Sequence, residues 1–290
     1  MEQIVYVNGS LLPLSKARLS PLDSGFMYGC GLFETLRAYS GNVFRLQRHL
    51  DRLRRSSHLL GISLVDAPDL EKAVYDTLSA NRLSDARIRI TISGGELQTI
   101  PDLQNHQSPT IVITAGDYPG DAARTDQRRG YRAIISAIRR NTHSQVSAAK
   151  SLCYLDSLLA RREAGVAGVN EAILMNERGF IAEGSTSNIF IVSADTLLTP
   201  GETSGILPGI TRQVILEELA PSLEIRTAFR DVSTDELAQA DEAFLTNSII
   251  EVVPLTEING HAIGDGRPGK ITNRLLGAYH RLVESAVAGG

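Results

Sequence analysis

The 290-residue sequence has few of the residues from which several common kinds of protein are built. Its two cysteines, Cys30 and Cys153, are too few for a scaffold of disulfide bonds or for a cysteine-rich zinc site. No stretch approaches the ~20 apolar residues of a membrane-spanning helix, and the first residues lack the apolar core of a secretory signal. The six histidines include no pair four residues apart, so no metal site is predicted. These absences predict a cytoplasmic protein that binds neither a membrane nor a metal ion.

The sequence also has no large excess of charge of either sign. The 29 basic and 33 acidic residues leave a net charge of −4, which gives no indication of nucleic acid as a partner. Hydrophobic residues make up 42% of the chain and charged residues 21%, which is the composition of an ordinary globular protein with a sizeable core. The length predicts about two domains.

The first part of the chain mixes the patterns of strands and helices. Asn8 and Gly9 form the favoured two-residue turn of a hairpin, and the residues at 87–92 alternate strictly between polar and apolar as in a strand. Apolar residues at helical spacing predict helices over 45–60 and 69–82, and a further strand is predicted over 110–114. We therefore predict a small N-terminal α/β domain over residues 1–115.

The stretch 116–130 has no periodicity and is rich in glycine and charge, so it is predicted to be a linker between domains. A larger C-terminal domain is predicted over 131–290. Its apolar runs indicate buried strands, and helical patterns lie between or after them. The strands are predicted at 132–138, 171–175, 187–192 and 242–246, and the helices at 152–164, 211–219 and 271–287. A capping box is predicted at 233–236.

Lysine is the scarcest charged residue, because only Lys16, Lys72, Lys150 and Lys270 stand among the 29 basic residues. Lys150 lies between small residues where a helix is predicted to begin, which is not the usual place for a solvated surface charge. A partly desolvated lysine amine can act as a nucleophile and form a Schiff base with an aldehyde. The position is equally compatible with a lysine that only flanks a helix.

Two further segments offer groups that could act together with the Lys150 amine. Glu183 precedes small polar residues and an apolar strand, which suggests a turn that directs the carboxylate inward. Gly209 leads into a helical pattern, where free N–H groups and the Thr211 hydroxyl would bind an anion. An amine, a carboxylate and an anion site are what pyridoxal phosphate requires for its aldehyde, its ring nitrogen and its phosphate.

A different chemistry is also compatible with the lysine. Ser147 and Lys150 have the Ser-x-x-Lys spacing of serine acyl-enzymes, although the companion motifs of that group are absent.

Taken in order along nearly the whole chain, these motifs resemble those of the class IV aminotransferases, which have the fold called type IV. This family includes branched-chain aminotransferases, D-amino-acid aminotransferases and aminodeoxychorismate lyase. The resemblance rests on five segments, which are Tyr28–Glu34 (YGCGLFE), His49–Leu53 (HLDRL), Lys150–Leu152 (KSL), Glu183–Phe190 (EGSTSNIF) and Leu207–Arg212 (LPGITR). It implies a C-terminal domain with a barrel-like sheet.

The resemblance implies pyridoxal 5′-phosphate as cofactor and a role for each matching residue. Lys150 would hold the cofactor as a Schiff base and then move the substrate proton, and Glu183 would pair with the pyridine nitrogen. The remaining cofactor ligands would bind the phosphate or the ring oxygen. For the phosphate they are Arg52, Ile210, Thr211 and Ser248, and for the ring oxygen Tyr154, which stands one residue closer to the lysine than in branched-chain enzymes.

For the substrate, the resemblance implies a pocket lined by Tyr28, Phe33 and Ile249, with Arg89 recognising a carboxylate. The loop 94–101 lacks the Arg-x-His pair of the D-amino-acid enzymes, which argues against a D-enzyme of the usual design. The resemblance implies a homodimer that transfers an amino group from an apolar, branched-chain-like L-amino acid to 2-oxoglutarate. Elimination of pyruvate from aminodeoxychorismate and a cofactor-binding relative without activity are the alternatives.

Overall fold

The computed structural model describes residues 2–64, 68–97, 108–118, 125 and 127–289. The chain forms two compact units. The first unit comprises Met1–Pro119, Ala149–Tyr154 and Ala286–Gly290, and the second comprises Gly120–Ala148 and Leu155–Ser285. The predicted linker over 116–130 stays a prediction, and part of it lies outside the described residues.

The first unit contains a six-stranded sheet with the strand order β2-β1-β6-β5-β3-β4, in which every neighbouring pair is antiparallel. The strands are β1 (Ile4–Val7), β2 (Ser10–Pro13), β3 (Gly31–Tyr39), β4 (Asn42–Val43), β5 (Ala86–Ser93) and β6 (Thr110–Asp117). The helices are α1 (Ser24–Tyr28), α2 (Leu46–Leu59) and α3 (Leu70–Asn81), and a short 3-10 helix spans Leu14–Lys16.

Local sequence accounts for much of this unit. The hairpin of β1 and β2 is confirmed, because Asn8 and Gly9 form its turn with the positive φ angles of 45° and 93° that such turns require. The helices predicted over 45–60 and 69–82 are confirmed as α2 and α3. The alternation in β5 places its isoleucines in one buried core with the apolar stripe of α2.

The second unit contains a nine-stranded sheet that curls into half a barrel, with the order β12-β11-β10-β13-β14-β7-β8-β9 and with β15 paired to β14. Its strands are β7 (Tyr131–Arg140), β8 (Glu171–Asn176), β9 (Ile181–Gly184), β10 (Asn188–Ser193), β11 (Thr196–Thr199), β12 (Arg226–Phe229), β13 (Glu242–Asn247), β14 (Glu251–Ile258) and β15 (His261–Ala262). Parallel and antiparallel pairs both occur, so the prediction of a mixed α and β protein is confirmed.

The helices of the second unit lie between or after its strands. They are α4 (Leu155–Val166), α5 (Ile210–Val214), α6 (Ala220–Ser222), α7 (Thr234–Ala238) and α8 (Lys270–Ala288), with a π-helical turn over Ile215–Leu219 and 3-10 turns over Gln145–Ala148 and Glu202–Ser204. The last residues of α8 belong to the first unit. No helix in the described ranges is long and apolar enough to cross a membrane.

The helix predicted over 152–164 begins later than expected, at Leu155. Residues 150–152 are instead held along β3, because Leu32 pairs with Ser151 and the Leu152 N–H donates to the Gly31 carbonyl at 2.9 Å. Lys150 therefore lies beside a strand, and the prediction that it stands at the start of a helix is wrong.

Candidate active site

Lys150 is positioned in the first unit by its backbone. The Phe33 N–H donates to the Lys150 carbonyl at 2.9 Å, which fixes the lysine against β3. Its Nζ lies 4.6 Å from the centroid of the Phe33 ring and 5.9 Å from that of Tyr154. The amine of Lys150 therefore lies beside two aromatic rings, where a planar cofactor or an apolar substrate could also pack.

Arg89 completes this aromatic surface. Its guanidinium carbon lies 3.9 Å from the centroid of the Phe33 ring, and Tyr154 meets the same ring edge-on at 5.1 Å. Burial, and then the charge of Arg87, lower the pKa of Arg89 below its ordinary value. A partly desolvated cation on an apolar floor suits the carboxylate of an otherwise apolar molecule. Tyr28, at the end of α1, is about half exposed.

Arg52 is held by a buried acid. Its Nε donates to Glu34 Oε1 at 2.8 Å and its Nη2 to Glu34 Oε2 at 2.7 Å, while His49 Nδ1 lies 2.8 Å from the same Oε2. Burial by itself would raise the pKa of Glu34, but the charge of Arg52 and the hydrogen bonds lower it to about 2. Burial, the largest cause, lowers the pKa of His49 despite the nearby carboxylate. This bidentate pair fixes the orientation of the guanidinium.

We predict that Glu34→Gln lowers the free energy of unfolding by about 3 kcal/mol, because it leaves Arg52 buried without its counter-charge. Urea unfolding at pH 7 measures the change. The matched control is Asp51→Asn on the same helix as Arg52, which breaks the exposed pair of Asp51 with Arg54 and should cost below about 1 kcal/mol. Equal losses in the two variants would contradict the role given to Glu34.

The same variant has a defined pH dependence. Because the folded pKa of Glu34 is depressed, its stabilisation is fully present above the ordinary value of 4.5 and is lost as the pH falls toward 2. The difference in unfolding free energy between the wild-type protein and Glu34→Gln should therefore shrink between pH 4.5 and the lowest pH at which the protein stays folded.

Glu183 is the centre of the second unit's polar cluster. Its Oε1 lies 2.9 Å from Arg140 Nη2, and its Oε2 accepts from the Leu207 N–H at 2.9 Å and from Asn188 Nδ2 at 3.2 Å. The residue is buried in β9 rather than in the predicted turn, which follows it at 185–187. Three donors, one of them charged, stabilise the ionised form of this carboxylate.

A second buried acid shapes the turn after Glu183. Glu171 accepts hydrogen bonds from the hydroxyls of Ser185, Thr186 (3.3 Å) and Ser187 (3.0 Å). A Cβ at Gly184 would lie 2.2 Å from Ser187 Oγ, so a side chain there would displace the hydroxyl that bonds Glu171. Sequence reasoning missed Glu171, as nothing in a lone acid at a strand start indicates three distant hydroxyl partners.

Asn247 links this turn to the segment that holds Ser248 and Ile249. Its Nδ2 donates to the Thr186 carbonyl at 3.0 Å, and its Oδ1 accepts from the Ile249 N–H at 2.8 Å. The structure thus brings the predicted residues Ser248 and Ile249 beside the Glu183 turn.

Gly209 caps α5, as predicted, and the following Ile210 and Thr211 are buried. A Cβ at Gly209 would lie 2.0 Å from Asn188 Oδ1, so a side chain there would displace the amide that donates to Glu183. The N–H groups of a first helical turn have no partner within the helix and can bind an anion.

The buried hydroxyl of Thr246 lies on the same sheet as Glu183. Thr246 pairs directly with Asn188 across β13 and β10, so both side chains stand on the same face. Within the part of the chain that the structure describes, the buried Thr246 hydroxyl has no hydrogen-bond partner. The same described part contains no cluster of His, Cys, Asp or Glu side chains able to hold a metal ion.

The predicted site residues thus fall into two sets. The first unit groups Lys150 with aromatic residues and arginines, and the second unit groups Glu183 with donors for an anion. The first set contains Tyr28, Phe33, Arg52, Arg89, Lys150 and Tyr154, and the second contains Glu183, Ser248, Ile249, Ile210 and Thr211.

Comparison with known proteins gives consistent results over most of the chain. The profile of the family described as amino-transferase class IV matches residues 31–258. The branched-chain-amino-acid aminotransferase of Pseudomonas aeruginosa is 34% identical over 97% of this chain and 92% of its own length. The aminodeoxychorismate lyase of Bacillus subtilis is 33% identical over 98% of this chain and 96% of its own length.

Among solved structures, the T.th. branched-chain amino acid aminotransferase complexed with N-(5′-phosphopyridoxyl)-L-glutamate is similar with a TM-score of 0.90. The two chains are 29% identical, and the match covers 99% of this chain and 95% of that chain. The prediction of fold type IV is confirmed by this likeness.

Proposed function

The chain belongs to the class IV aminotransferase family, and on that premise we propose that it transfers an amino group from an apolar L-amino acid of the branched-chain type to 2-oxoglutarate, with pyridoxal 5′-phosphate as cofactor. The observation that carries the proposal is the amine of Lys150, which is placed by its backbone beside an aromatic surface with one desolvated cation, Arg89. The serine acyl-enzyme hypothesis for Ser147 has no support from the family.

The donor groups of this chain fit the cofactor. Asn188, which donates to Glu183, lies beside two groups that can bind a ligand. One is the buried Thr246 hydroxyl, which has no hydrogen-bond partner among the described residues, and the other is the helix start at Gly209. Lys150 would bind the aldehyde, Glu183 the ring nitrogen, and Arg52, Ile210, Thr211 and Ser248 the phosphate, with Tyr154 at the ring oxygen. When bound, the cofactor supplies a ring that accepts the negative charge left on the substrate Cα.

Residues of the chain itself would move the protons, orient the phosphate ligand and enclose the substrate. Glu183, ionised by its contact with Arg140, would hold a proton on the ring nitrogen, and the Lys150 amine would move a proton at the substrate Cα. Glu34 would keep Arg52 aimed at the phosphate, because both donors on one edge of the guanidinium are already fixed. Phe33, Tyr28 and Ile249 would enclose an apolar side chain.

The substrate class follows from the balance of these residues. The aromatic surface at Phe33 and Tyr154 offers area to an apolar side chain, and Arg89 offers one cation for a carboxylate. The similar structure with a phosphopyridoxyl-glutamate complex supports glutamate and 2-oxoglutarate as the second pair. The D-enzyme argument from the loop 94–101 stays a prediction, as residues 98–101 lie outside the described part.

A homodimer remains part of the proposal. The first unit exposes a run of apolar residues at α1 and just before it, with Phe26 79% exposed and Tyr28 52% exposed. A substrate-lining tyrosine left half exposed in a single chain is consistent with a pocket that a second copy completes.

The second candidate function is aminodeoxychorismate lyase, which the likeness to the Bacillus subtilis enzyme favours. The lyase reaction would use the same lysine and cofactor but would eliminate pyruvate. It differs from transamination in needing only one substrate.

Initial rates with purified holoenzyme separate the two reactions. We expect L-leucine with 2-oxoglutarate to give L-glutamate at a turnover on the order of 10 per second, D-alanine to give less, and 4-amino-4-deoxychorismate to release no pyruvate. Faster release of pyruvate from 4-amino-4-deoxychorismate than formation of glutamate would replace the transaminase with the lyase.

A further inference from the structure

The only two cysteines of this 290-residue chain are brought together, although 123 positions separate them in sequence. Cys30 directly precedes β3, and Cys153 follows the segment that pairs with the start of β3. The antiparallel bridge between Leu32 and Ser151 leaves Cys30 and Cys153 at its same end, each two positions beyond it.

The backbone hydrogen bonds on either side of Leu32 and Ser151 show which kind of antiparallel pair these residues form. The Phe33 N–H bonds the Lys150 carbonyl and the Leu152 N–H bonds the Gly31 carbonyl, which makes Leu32 and Ser151 a non-hydrogen-bonded pair. In such a pair the Cα atoms of facing residues are typically ~4.5 Å apart, inside the range that a disulfide spans. Cys30 and Cys153 stand two positions beyond this pair, where the ladder ends because the Tyr154 N–H bonds the Leu152 carbonyl at 2.7 Å.

Contacts near the sulfur atoms agree with this placement. Cys153 Sγ lies 3.5 Å from the carbonyl oxygen of Gly29, the neighbour of Cys30. A Cβ built on Gly29 would lie 3.2 Å from the same sulfur. Burial, with a smaller contribution from the nearby Cys153, raises the pKa of Cys30.

The two thiols differ in access. Cys153 is exposed, whereas Cys30 is only partly so. An exposed thiol meets a reagent in solution first, and its less accessible neighbour is left for the second, intramolecular step, in which proximity replaces access to the reagent. Cys153 is therefore placed to react first with a reagent, and Cys30 to react second with Cys153.

We propose that Cys30 and Cys153 form a dithiol modification site that a low-molecular-weight disulfide oxidises to an intramolecular bond. The Cys153 thiolate attacks the reagent disulfide and releases one reagent thiol. Cys30 then loses its proton and attacks the Cys153 sulfur, which forms the Cys30–Cys153 bond and releases the second reagent thiol. The two protein thiols lose two electrons and two protons in total, and the reagent disulfide gains them.

The bond would join β3 to the segment that carries Lys150 and so close a loop of more than a hundred residues. A crosslink across so long a loop restricts the unfolded chain strongly, and we expect it to raise the Tm by roughly 5–10 °C. The site does not depend on the proposed substrate, since neither cysteine has been given a part in the reaction.

The test uses the purified full-length protein with oxidised glutathione, followed by alkylation of remaining thiols and peptide mass mapping. We expect the titratable thiols to fall from two to none, with the Cys30 and Cys153 peptides joined and the Tm raised. Cys30→Ser and Cys153→Ser should each keep a thiol or carry one glutathione, with no internal crosslink and no rise in Tm. Circular dichroism checks that both variants are folded.

Glutathione adducts on the wild-type protein without a Cys30–Cys153 crosslink would overturn the proposal, and so would crosslinks only between chains. Phenylarsine oxide gives an independent reading, because a trivalent arsenical bridges two close thiols. It should bind the wild-type protein tightly in a one-to-one ratio and either serine variant at least ~10-fold more weakly. Equal binding to all three would contradict the paired site.

Discussion

Lys150→Ala is expected to abolish transamination, with kcat falling by roughly 10,000-fold or more. The substitution removes both the group that binds the cofactor covalently and the base that moves the substrate proton, and general acid–base catalysis alone contributes about 10²–10⁴-fold. The change is measured as glutamate formation from L-leucine and 2-oxoglutarate. Added methylamine should restore part of the proton transfer, because a free amine can occupy the space of the lost side chain.

The matched control is Lys72→Ala. The Lys72 side chain is 70% exposed and pairs with Asp76 one helical turn away, so its loss should leave kcat unchanged. Full activity of Lys150→Ala in the presence of cofactor would show that another residue performs the chemistry, and it would sink the assignment of this lysine.

Glu183→Gln is expected to lower kcat by about 10²–10³-fold, the usual cost of removing one electrostatic partner of the reacting groups. The amide cannot hold a proton on the ring nitrogen as the carboxylate does, and Cα–H cleavage should then limit the rate. The primary isotope effect with Cα-deuterated L-leucine should therefore rise in the variant. A purely structural role for Glu183 would lower the amount of active protein without changing this isotope effect.

Two measurements keep the Glu183 result interpretable. Since Arg140 loses its charged partner in the variant, thermal unfolding is compared with that of the wild-type protein. Glu202→Gln is the matched control, because Glu202 is exposed at the start of the same loop that carries Leu207. Wild-type kcat in Glu183→Gln would rule out the electronic role.

Elements that depend on short-range sequence patterns are predicted correctly from the sequence. The turn at Asn8 and Gly9, the stripe of α2 and the alternation of β5 each follow from short-range chemistry, and each is found in the structure. The capping box predicted at 233–236 is also present, with both reciprocal hydrogen bonds formed.

Other features depend on partners far away in the chain. Strand β3 has buried residues on both faces, including the charged Glu34, so it lacks the alternation that marks a half-buried strand. The apolar residues after Lys150 have helical spacing and predict a helix from 152, whereas hydrogen bonds to β3 hold Lys150 and Leu152, and the helix begins only at Leu155. Short-range patterns cannot register such long-range pairing.

The candidate site shows the same division. Motif order pointed to Lys150, Glu183 and Arg52, but the groups that orient them were not recognised as such. Arg140 belongs to a strand with no polar motif, and Glu171 gains its importance only when the turn at 185–187 closes over it. Supporting residues of this kind become visible only in three dimensions.

The central claim, that Lys150 carries the cofactor, is tested most directly by trapping it. The holoenzyme is treated with sodium borohydride, digested, and mapped by mass spectrometry for a phosphopyridoxyl group on lysine. The chain has only four lysines, so the assignment is unambiguous. We expect the group on the peptide of Lys150 alone, with the yellow absorption lost on reduction. Labelling of Lys16, Lys72 or Lys270 in its place, or a protein that stays colourless with added pyridoxal 5′-phosphate, would contradict the account.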